Sequence, residues 1–287
     1  MILIADSGST KCDWIVLNDE GEIIKRPFTM GFNPYFHSEA IISTAIKQNQ
    51  ELSEIADEVD HIYYYGAGCS SPDLCATIER ALHVIFEKAK ILVDHDLLAA
   101  AYATYTGEPA IACILGTGSN SCYFDGQNVH EEVPALGYKL GDEGSGSFFG
   151  KKLLAMYLYK QLPAHIHDAF KEKYGLTMKM VVENVYNRPH ANVYLASFVR
   201  FISDYKNEAP FKEILKDGMK QFMQTHVCCY DNYKEVPVHF IGSVAFYYQD
   251  AIQEAAKELD ISLGQIIRKP IENIVKFHVD HLIKIAN

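Results

Sequence analysis

The chain has 287 residues, a formal net charge of −11 and an apolar fraction of 48%. This length accommodates two domains of ordinary size with a sizeable core, and the acidic balance argues against a nucleic-acid-binding protein, which needs a basic face. No apolar run approaches the roughly 18 residues of a membrane-spanning helix, so we expect no membrane partner. The seven cysteines form neither a C-x-x-C pair nor a zinc-type spacing. This usage favours free thiols in a reducing cytoplasm.

The first part of the chain alternates β-rich runs with helical patterns, which is typical of an α/β domain. A turn of Asn18-Asp19-Glu20-Gly21 separates the second strand from the third. The patterns predict strands at Ile2–Ala5, Asp13–Leu17 and Glu22–Phe28, a helix over 38–56, a strand at His61–Tyr65, a helix from about Pro72, a strand at Ile91–Val93 and a helix beginning in the alanine-rich segment 97–104.

The second part repeats this order and adds a long helical stretch. The patterns predict strands at Ile111–Leu115, Ser121–Phe124 and Val129–Val133, helices within 147–230, a strand at Val236–Ile241, a helix over 246–258, a strand at Ile266–Ile267 and a helix from Pro270 to Ile285. The repetition predicts an N-terminal domain of residues 1–104, joined by a C-terminal helix at 270–287, and a C-terminal domain of residues 105–269.

Two loops of small polar residues each follow a buried apolar strand. The first is Ser7-Gly8-Ser9-Thr10-Lys11 and the second is Gly116-Thr117-Gly118-Ser119. Glycine lets the backbone approach a ligand closely, and successive N–H groups can bind an anion. Either loop alone is also compatible with an ordinary hairpin turn. Their recurrence favours two similar halves that bind one phosphate chain, although neither a P-loop nor a dinucleotide-binding signature is present.

These motifs, in this order, resemble those of the sugar-kinase, heat-shock ATPase and actin superfamily. The chain is most similar to the BadF/BadG/BcrA/BcrD ATPase family and its N-acetylglucosamine kinase members, over most of its length. The resemblance rests on Asp6-Ser7-Gly8-Ser9-Thr10-Lys11, Asp96, Leu115-Gly116-Thr117-Gly118-Ser119-Asn120, Gly141-Asp142-Glu143-Gly144-Ser145-Gly146, Gly242-Ser243-Val244 and Lys269-Pro270-Ile271-Glu272.

The resemblance implies a two-domain α/β fold of the ribonuclease H-like, actin-like ATPase type. Its two domains have duplicated mixed β-sheets, with a helical insertion at 147–230 in the second domain. The resemblance also implies ATP and Mg²⁺ as cofactors, a small-molecule amino sugar as the partner, and a homodimer.

Asp96 matches the position of the catalytic base in the related kinases. Phosphoryl transfer needs an acceptor for the hydroxyl proton, and a carboxylate can serve. N-capping of the following helix is a competing interpretation for Asp96, and Asp94 is the acid most easily confused with it. The resemblance implies that Asp6 holds Mg²⁺ through water, whereas a cap at the end of a strand is its structural alternative.

Further residues match the family's nucleotide loops and sugar site. The family usually has Gly where this chain has Ser7, and Lys11 is equally compatible with a solvent-facing role. Asn33 and Asp142 are each compatible with a turn-forming or capping role as well as with sugar binding. The resemblance implies ATP or phosphate contacts from Ser9, Thr10, Lys11, Gly116, Thr117, Gly118, Gly242 and Ser243, and sugar contacts from Asn33, Ser119, Asn120 and Asp142.

The function implied is the ATP-dependent phosphorylation of an amino sugar, with N-acetylglucosamine and its 6-hydroxyl as the leading substrate. One alternative is an ATPase activator of a radical dehydratase, in which cysteines bridge a dimer through an iron–sulfur cluster. Cys113 and Cys122 flank the second loop, but the cluster-binding pattern of those activators is missing. A second alternative is a sugar sensor without catalysis.

Overall fold

A computed structural model describes residues 1–283, which divide into two compact units. The first unit combines Met1–Gly107 with the segment that begins at Lys269, and the second is Glu108–Arg268. The end of the predicted C-terminal helix, residues 284–287, lies outside the described residues. In the described part, no helix is both long and apolar enough to cross a membrane.

The first unit contains a six-stranded mixed sheet in the order β3-β2-β1-β5-β6, with β4 also paired to β2. Strands β1, β5 and β6 are mutually parallel, whereas β1 and β2 are antiparallel. The strands are β1 (Ile2–Ser7), β2 (Lys11–Leu17), β3 (Ile23–Lys25), β4 (Phe28–Met30), β5 (His61–Gly66) and β6 (Lys90–His95). The helices are α1 (Glu39–Lys47), α2 (Gln50–Ser53), α3 (Pro72–His83), α4 (Asp96–Thr104) and, after residue 269, α14 (Ile271–Phe277), with short helical turns at Ala56–Glu58 and His278–Leu282.

The second unit contains a five-stranded sheet in the order β9-β8-β7-β10-β11. Its strands are β7 (Ala110–Leu115), β8 (Ser119–Phe124), β9 (Val129–His130), β10 (Val238–Ile241) and β11 (Leu263–Ile267). Its helices are α5 (Gly137–Leu140), α6 (Gly146–Leu158), α7 (Ala164–Tyr174), α8 (Met178–Val182), α9 (Ala191–Ala196), α10 (Val199–Asp204), α11 (Ala209–His226), α12 (Ser243–Tyr247) and α13 (Gln249–Glu258), with a further helical turn at Glu183–Asn187.

The two sheets share one topology. In each, the first strand pairs antiparallel with the second and parallel with a later strand, and the strand orders correspond position by position. The duplicated α/β architecture predicted from the repeated strand pattern is therefore confirmed. The helices α5 to α11 lie between β9 and β10.

Both faces of the sheet in the first unit are buried. Leu3 and Ala5 pack into one apolar cluster, whereas Ile4 packs into another that contains residues of α4 and α14. Successive strand residues point to opposite faces, so a sheet covered on both sides needs a continuous apolar strand. This explains why the run Ile2–Ala5 contains no polar residue.

Several predicted boundaries are wrong for local reasons. The predicted strand Glu22–Phe28 is two short strands, because Pro27 lacks an N–H for the sheet and only its carbonyl bonds, to the Trp14 N–H at 3.0 Å. The predicted helix 38–56 breaks where Asn49 caps α2 through the Leu52 N–H. The predicted helix 246–258 begins earlier, at Ser243, and is interrupted at Tyr248.

A buried tyrosine–histidine pair connects β5 to the C-terminal segment of the first unit. The Tyr65 hydroxyl lies 2.8 Å from His278 Nε2, and no partner for the buried His278 Nδ1 occurs among the described residues. Burial lowers the pKa of His278 from 6.5 to about 4. The imidazole is therefore neutral in the folded protein at pH values where an unfolded chain would be protonated.

We expect acid to destabilise the first unit through His278. As the pH falls below about 6.5, His278 is protonated in the unfolded chain but stays neutral in the folded chain. The unfolding free energy therefore decreases until about pH 4, where the folded chain is protonated too. The difference between these pKa values corresponds to ~3 kcal/mol of unfolding free energy. Denaturant unfolding at several pH values should give a flatter acid limb for His278→Gln than for the native chain. Parallel curves for the two proteins would contradict this prediction.

Candidate active site

Acidic residues meet at one edge of the sheet in the first unit. Asp6, Tyr65 and Asp94 are aligned across β1, β5 and β6 near the carboxyl ends of these parallel strands. Helix α4 then begins at Asp96. The carboxyl edge of a parallel sheet is the usual place for a ligand in α/β proteins, so this edge is the candidate site of the first unit.

Asp6 lies at this edge, in surroundings that disfavour its ionised form. Burial, together with the negative charges of Asp96 and Asp13, raises its pKa from 3.8 to about 7. A carboxylate that lies near two other acids is well suited to bind a cation. Mg²⁺ takes oxygen ligands, often one or two carboxylates with several waters, so the donor set at Asp6 fits this ion.

The residues around Asp96 have separate local roles. His95 is the N-cap of α4, and its Nδ1 accepts the Leu98 N–H at 3.1 Å. The alternative interpretation of Asp96 as the N-cap is therefore wrong. Asp94 accepts the His95 N–H through Oδ1 at 2.7 Å, and the same oxygen lies 3.4 Å from His95 Nε2. Asp94 thus contributes to the start of α4, while Asp96 occupies its first turn.

The loop between β1 and β2 is a tight turn braced by a neighbouring segment. The Gly8 N–H donates to the Lys11 carbonyl at 3.0 Å, which places Ser9 and Thr10 at the tip. Ser7 is buried in β1 and accepts the Phe32 N–H through its hydroxyl at 3.0 Å. A Cβ at Gly31 would lie 2.0 Å from the Gly8 carbonyl oxygen. The 31–32 segment thus fixes the shape of the turn, and Ser7 takes part in this bracing.

Lys11 and Asn33 both have partners within the chain. Lys11 belongs to β2 rather than to the loop, and its Nζ lies 2.5 Å from Asp13 Oδ1. Asn33 Oδ1 accepts the Tyr35 N–H at 3.0 Å, as in a turn-forming asparagine. The same oxygen lies against Gly68, where a Cβ would approach it to 2.5 Å. The turn-forming alternative for Asn33 therefore describes its local role.

In the second unit the Gly116-Thr117-Gly118 turn joins β7 to β8. The Gly116 N–H donates to the Gly118 carbonyl at 2.9 Å, and the turn is anchored on the start of α6. The Gly146 N–H donates to the Gly116 carbonyl at 2.8 Å, and the Ser147 N–H donates to the Thr117 carbonyl at 3.0 Å. The G-D-E-G-S-G segment therefore supports the second loop directly.

Asp142 is the side chain that connects these two motifs. It is buried, has a φ of 58° and accepts the Ser119 N–H through Oδ1 at 3.3 Å. Its Oδ2 accepts the Ser147 hydroxyl at 3.3 Å, and burial raises its pKa. Ser145, not Asp142, is the N-cap of α6. Asp142 is thus a brace between the loop and the helix as well as a candidate sugar ligand.

The other two sugar candidates of this unit lie beside Asp142 on β8. The Ser119 hydroxyl donates to the Glu143 carbonyl at 2.8 Å, so it is already engaged. Asn120 Oδ1 accepts the Ser121 N–H at 2.9 Å, and its side chain is half-buried. Both side chains therefore have a structural role that sequence alone did not indicate.

Gly242 and Ser243 follow β10 at the same sheet edge as the Gly116 turn. Gly242 has a φ of 111°, and a Cβ there would lie 2.4 Å from the Leu115 carbonyl oxygen. Its N–H donates to the Ile267 carbonyl at 2.9 Å. Glycine is therefore required for the close approach of three strand ends. Ser243 is exposed at the start of α12.

Three supporting residues were not identified from sequence. Lys151 donates to the Tyr138 carbonyl and interacts electrostatically with Asp142 and Glu143. His226 is buried with its Nε2 3.7 Å from Glu143 Oε2. Gly31 adjoins the first turn. The position of Lys151 on the helix after the acidic motif could have indicated its role from sequence. His226 and Gly31 are distant in sequence from the groups they contact.

Comparison with known proteins identifies relatives over the whole length of the chain. The sequence profile of the BadF/BadG/BcrA/BcrD ATPase family matches residues 5–258. A crystal structure of a candidate N-acetylglucosamine kinase from Porphyromonas gingivalis is 36% identical, covers 99% of this chain and 100% of its own, and superposes with a TM-score of 0.92. No curated protein sequence matches the chain significantly.

More distant structures share the fold. A candidate N-acetylglucosamine kinase from Chromobacterium violaceum is 16% identical, covers 96% of this chain and 98% of its own, and has a TM-score of 0.70. A ROK-family glucokinase from Streptomyces griseus, solved with glucose and AMPPNP, is 14% identical, with coverages of 96% and 98% and a TM-score of 0.52. These similarities confirm the predicted two-domain α/β fold of the actin-like ATPase type.

Proposed function

We propose that this chain, which belongs to the BadF/BadG/BcrA/BcrD ATPase family, is an ATP-dependent sugar kinase. The substrate we propose is N-acetylglucosamine, phosphorylated at its 6-hydroxyl. The observation that carries the proposal is the pair of acids Asp6 and Asp96 at the carboxyl edge of parallel strands, where burial and the negative charge of Asp96 both raise the pKa of Asp6. The candidate kinase from P. gingivalis, 36% identical over the full length, supports this substrate class.

Asp96 would act as the general base for the sugar hydroxyl. The enzyme has little covalent work to do in phosphoryl transfer, so a carboxylate that accepts the proton and groups that hold the phosphates suffice. Asp6 would hold Mg²⁺, in part through water. The positive charge of this ion would offset the negative charge of the phosphates. A bound Mg²⁺ would also stabilise the ionised form of Asp6, which burial and the neighbouring acids otherwise disfavour.

The two turns would bind the phosphates through backbone N–H groups and hydroxyls. In the first unit these are Ser9 and Thr10, with Lys11 as a further candidate; in the second they are Thr117 and Gly118. Gly116, whose N–H donates to the Gly118 carbonyl, would contribute by letting the backbone approach the phosphates closely. Gly242 and Ser243 would lie on the nucleoside side of the second unit. Asn33, Ser119, Asn120 and Asp142 remain proposed sugar ligands. Backbone donors at glycine turns favour anionic groups because successive N–H dipoles point the same way.

The dehydratase-activator alternative receives no support from the cysteines that prompted it. Cys113 and Cys122 are both fully buried inside the sheet of the second unit, where a second subunit could not share a cluster with them. Burial also raises the pKa of Cys113 well above its usual value, which disfavours the thiolate that metal binding requires. We therefore retain the kinase as the proposed function.

A coupled assay with Mg²⁺, ATP and a panel of amino sugars tests the proposal. We expect ADP release with N-acetylglucosamine, and a phosphorus NMR signal coupled to the C6 protons of the product. The panel would contain N-acetylmannosamine, N-acetylmuramic acid and glucosamine as competitors. If no sugar stimulates ADP release above the rate with ATP alone, the kinase proposal is wrong. If a competitor is preferred, the kinase proposal stands and only the proposed sugar is wrong.

A further inference from the structure

A reciprocal pair of hydrogen bonds closes the turn at residues 33–37 of the first unit, which we call the capped turn. Asn33 Oδ1 accepts the Tyr35 N–H at 3.0 Å, while His37 Nδ1 accepts the Asn33 N–H at 3.1 Å. The Asn33 carbonyl accepts the N–H groups of Phe36 and His37, both at 2.9 Å. A first side chain thus binds a later N–H while a later side chain binds the first N–H, as in the capping box of a helix. His37 takes the role that glutamate usually has there.

The capped turn fixes the orientation of the Asn33 carboxamide. The Tyr35 N–H needs an acceptor, so Oδ1 is directed into the turn and the two donors on Nδ2 point away from it. Among the described residues, the hydrogen bonds of Asn33 use its N–H, its carbonyl and Oδ1, and none uses Nδ2. The side chain is half-buried. Asn33 therefore offers N–H donors to a ligand.

The capped turn lies against the loop that follows β5. A Cβ at Gly68 would lie 2.5 Å from Asn33 Oδ1 and 3.0 Å from Asn33 Nδ2. Strand β5 ends only two residues earlier, at Gly66, and its end is part of the carboxyl edge described above for Asp6. The contact with Gly68 therefore places the carboxamide of Asn33 at the edge that carries the candidate site of the first unit.

We propose that His37 is a positioning residue for sugar binding, an inference that rests on the proposed sugar kinase. By accepting the Asn33 N–H, the imidazole holds the capped turn in the form that presents Nδ2 to the ligand. The group recognised would be an acceptor oxygen of the sugar, such as a hydroxyl or the acetamido carbonyl. His37 acts through Asn33 and does not itself contact the sugar.

A role in folding alone explains this arrangement less well. His37 is only 9% exposed, and a buried polar ring costs free energy that an apolar side chain at the same place would avoid. The following helix does not account for it either, because Ser38 is the N-cap of α1 and His37 Nδ1 bonds back to Asn33. A second residue that locks the conformation of a ligand-binding residue is what precise recognition requires.

Calorimetric titration with N-acetylglucosamine, together with steady-state kinetics, tests the proposal. His37→Phe keeps a ring but removes the acceptor, and His37→Ala removes the acceptor without adding bulk. We expect both to weaken sugar binding by about 2- to 10-fold, the range that one neutral hydrogen bond contributes. The sugar KM should rise by the same factor, with kcat and the KM for ATP unchanged. His37→Asn places an amide oxygen near the position of Nδ1 and should restore the native affinity.

A double-mutant cycle shows whether His37 acts through Asn33. Asn33→Asp keeps an acceptor for the Tyr35 N–H and caps about as well, but it loses the N–H donors. In this background His37→Phe should have no further effect on sugar affinity. Asn49 is an asparagine cap of the same unit, on α2, so Asn49→Asp is the matched control and should bind sugar as the native chain does.

Each outcome decides for or against the role of His37. Native sugar affinity in the acceptor-free variants overturns the proposal, as does a loss that persists in the Asn33→Asp background or that His37→Asn does not restore. A native chain that binds no sugar overturns the kinase proposal and the role of His37 together. If the native chain binds sugar without transferring phosphate, the expected pattern of affinities supports His37 while the kinase proposal fails.

Discussion

Replacing Asp96 with asparagine is expected to lower kcat for sugar phosphorylation by about 10²- to 10⁴-fold. This corresponds to roughly 3–5 kcal/mol of activation free energy. The amide keeps the shape of the side chain but cannot accept the hydroxyl proton as a base. The KM values for ATP and sugar should change far less, because an amide still hydrogen-bonds a hydroxyl. Steady-state kinetics of the purified variant measure both parameters.

The local structure separates this effect from one on folding. His95 caps α4 through the Leu98 N–H, so the helix keeps its cap when Asp96 is replaced. Asp96 adds a negative charge to the first turn of α4, which is worth about 0.3–1 kcal/mol. We therefore expect the thermal unfolding midpoint of Asp96→Asn to stay close to that of the native chain while turnover collapses.

Asp94→Asn is the matched control for this prediction. Asp94 is two residues away, and its carboxylate is engaged with the His95 backbone N–H at 2.7 Å. We expect it to retain activity and to lose a little stability. An inactive Asp94→Asn beside an active Asp96→Asn would show that the base has been assigned to the wrong acid. If both variants stay active in an assay that phosphorylates sugar, the proposed mechanism fails.

Sequence located the strands best where burial on both faces leaves a continuous apolar signature. Ile2–Ala5 predicted most of β1 (Ile2–Ser7), and Ile111–Leu115 predicted β7 almost residue for residue. Helix boundaries were less accurate, since Asn49 and Tyr248 interrupt the predicted helices by local geometry. The predicted strand Val129–Val133 is only Val129–His130, because Val129 and His130 alone pair with β8.

The positions of the candidate site residues followed from strand ends, but their contacts did not. The parallel order of β1, β5 and β6 brings Asp6 and Asp94 to one edge. No local pattern shows that Gly31 abuts the Gly8 carbonyl or that Asp142 bridges Ser119 and Ser147. Such contacts join segments far apart in the chain and depend on the assembled fold.

Replacing Asp6 with asparagine is expected to move activity and stability in opposite directions. Loss of the carboxylate proposed to hold Mg²⁺ should lower turnover by about 10²-fold or more, since the ion contributes several kcal/mol to phosphoryl transfer. Asparagine offers a neutral oxygen of similar shape, so the variant should need far more Mg²⁺ for its remaining activity. Initial rates over a magnesium titration, at saturating ATP and sugar, measure this change.

The stability of the same variant should rise in the absence of Mg²⁺. The pKa of Asp6 is raised to about 7 from 3.8, so the folded chain binds a proton more tightly than the unfolded chain does. The native chain therefore loses stability as the pH rises from about 4 to about 7, by up to ~4 kcal/mol. Asp6→Asn carries no such charge and should exceed the native chain in unfolding free energy at pH 8, with the difference shrinking toward pH 4.

The two measurements together test whether Asp6 is a magnesium ligand or only a residue at the end of a strand. A ligand should show a magnesium requirement that grows as the pH falls below about 7, because the ion then competes with a proton for the same carboxylate. That pH dependence should disappear in Asp6→Asn. A residue with only a local structural role predicts equal magnesium requirements in both proteins at every pH. It also predicts a variant that keeps its turnover, whatever the change in stability.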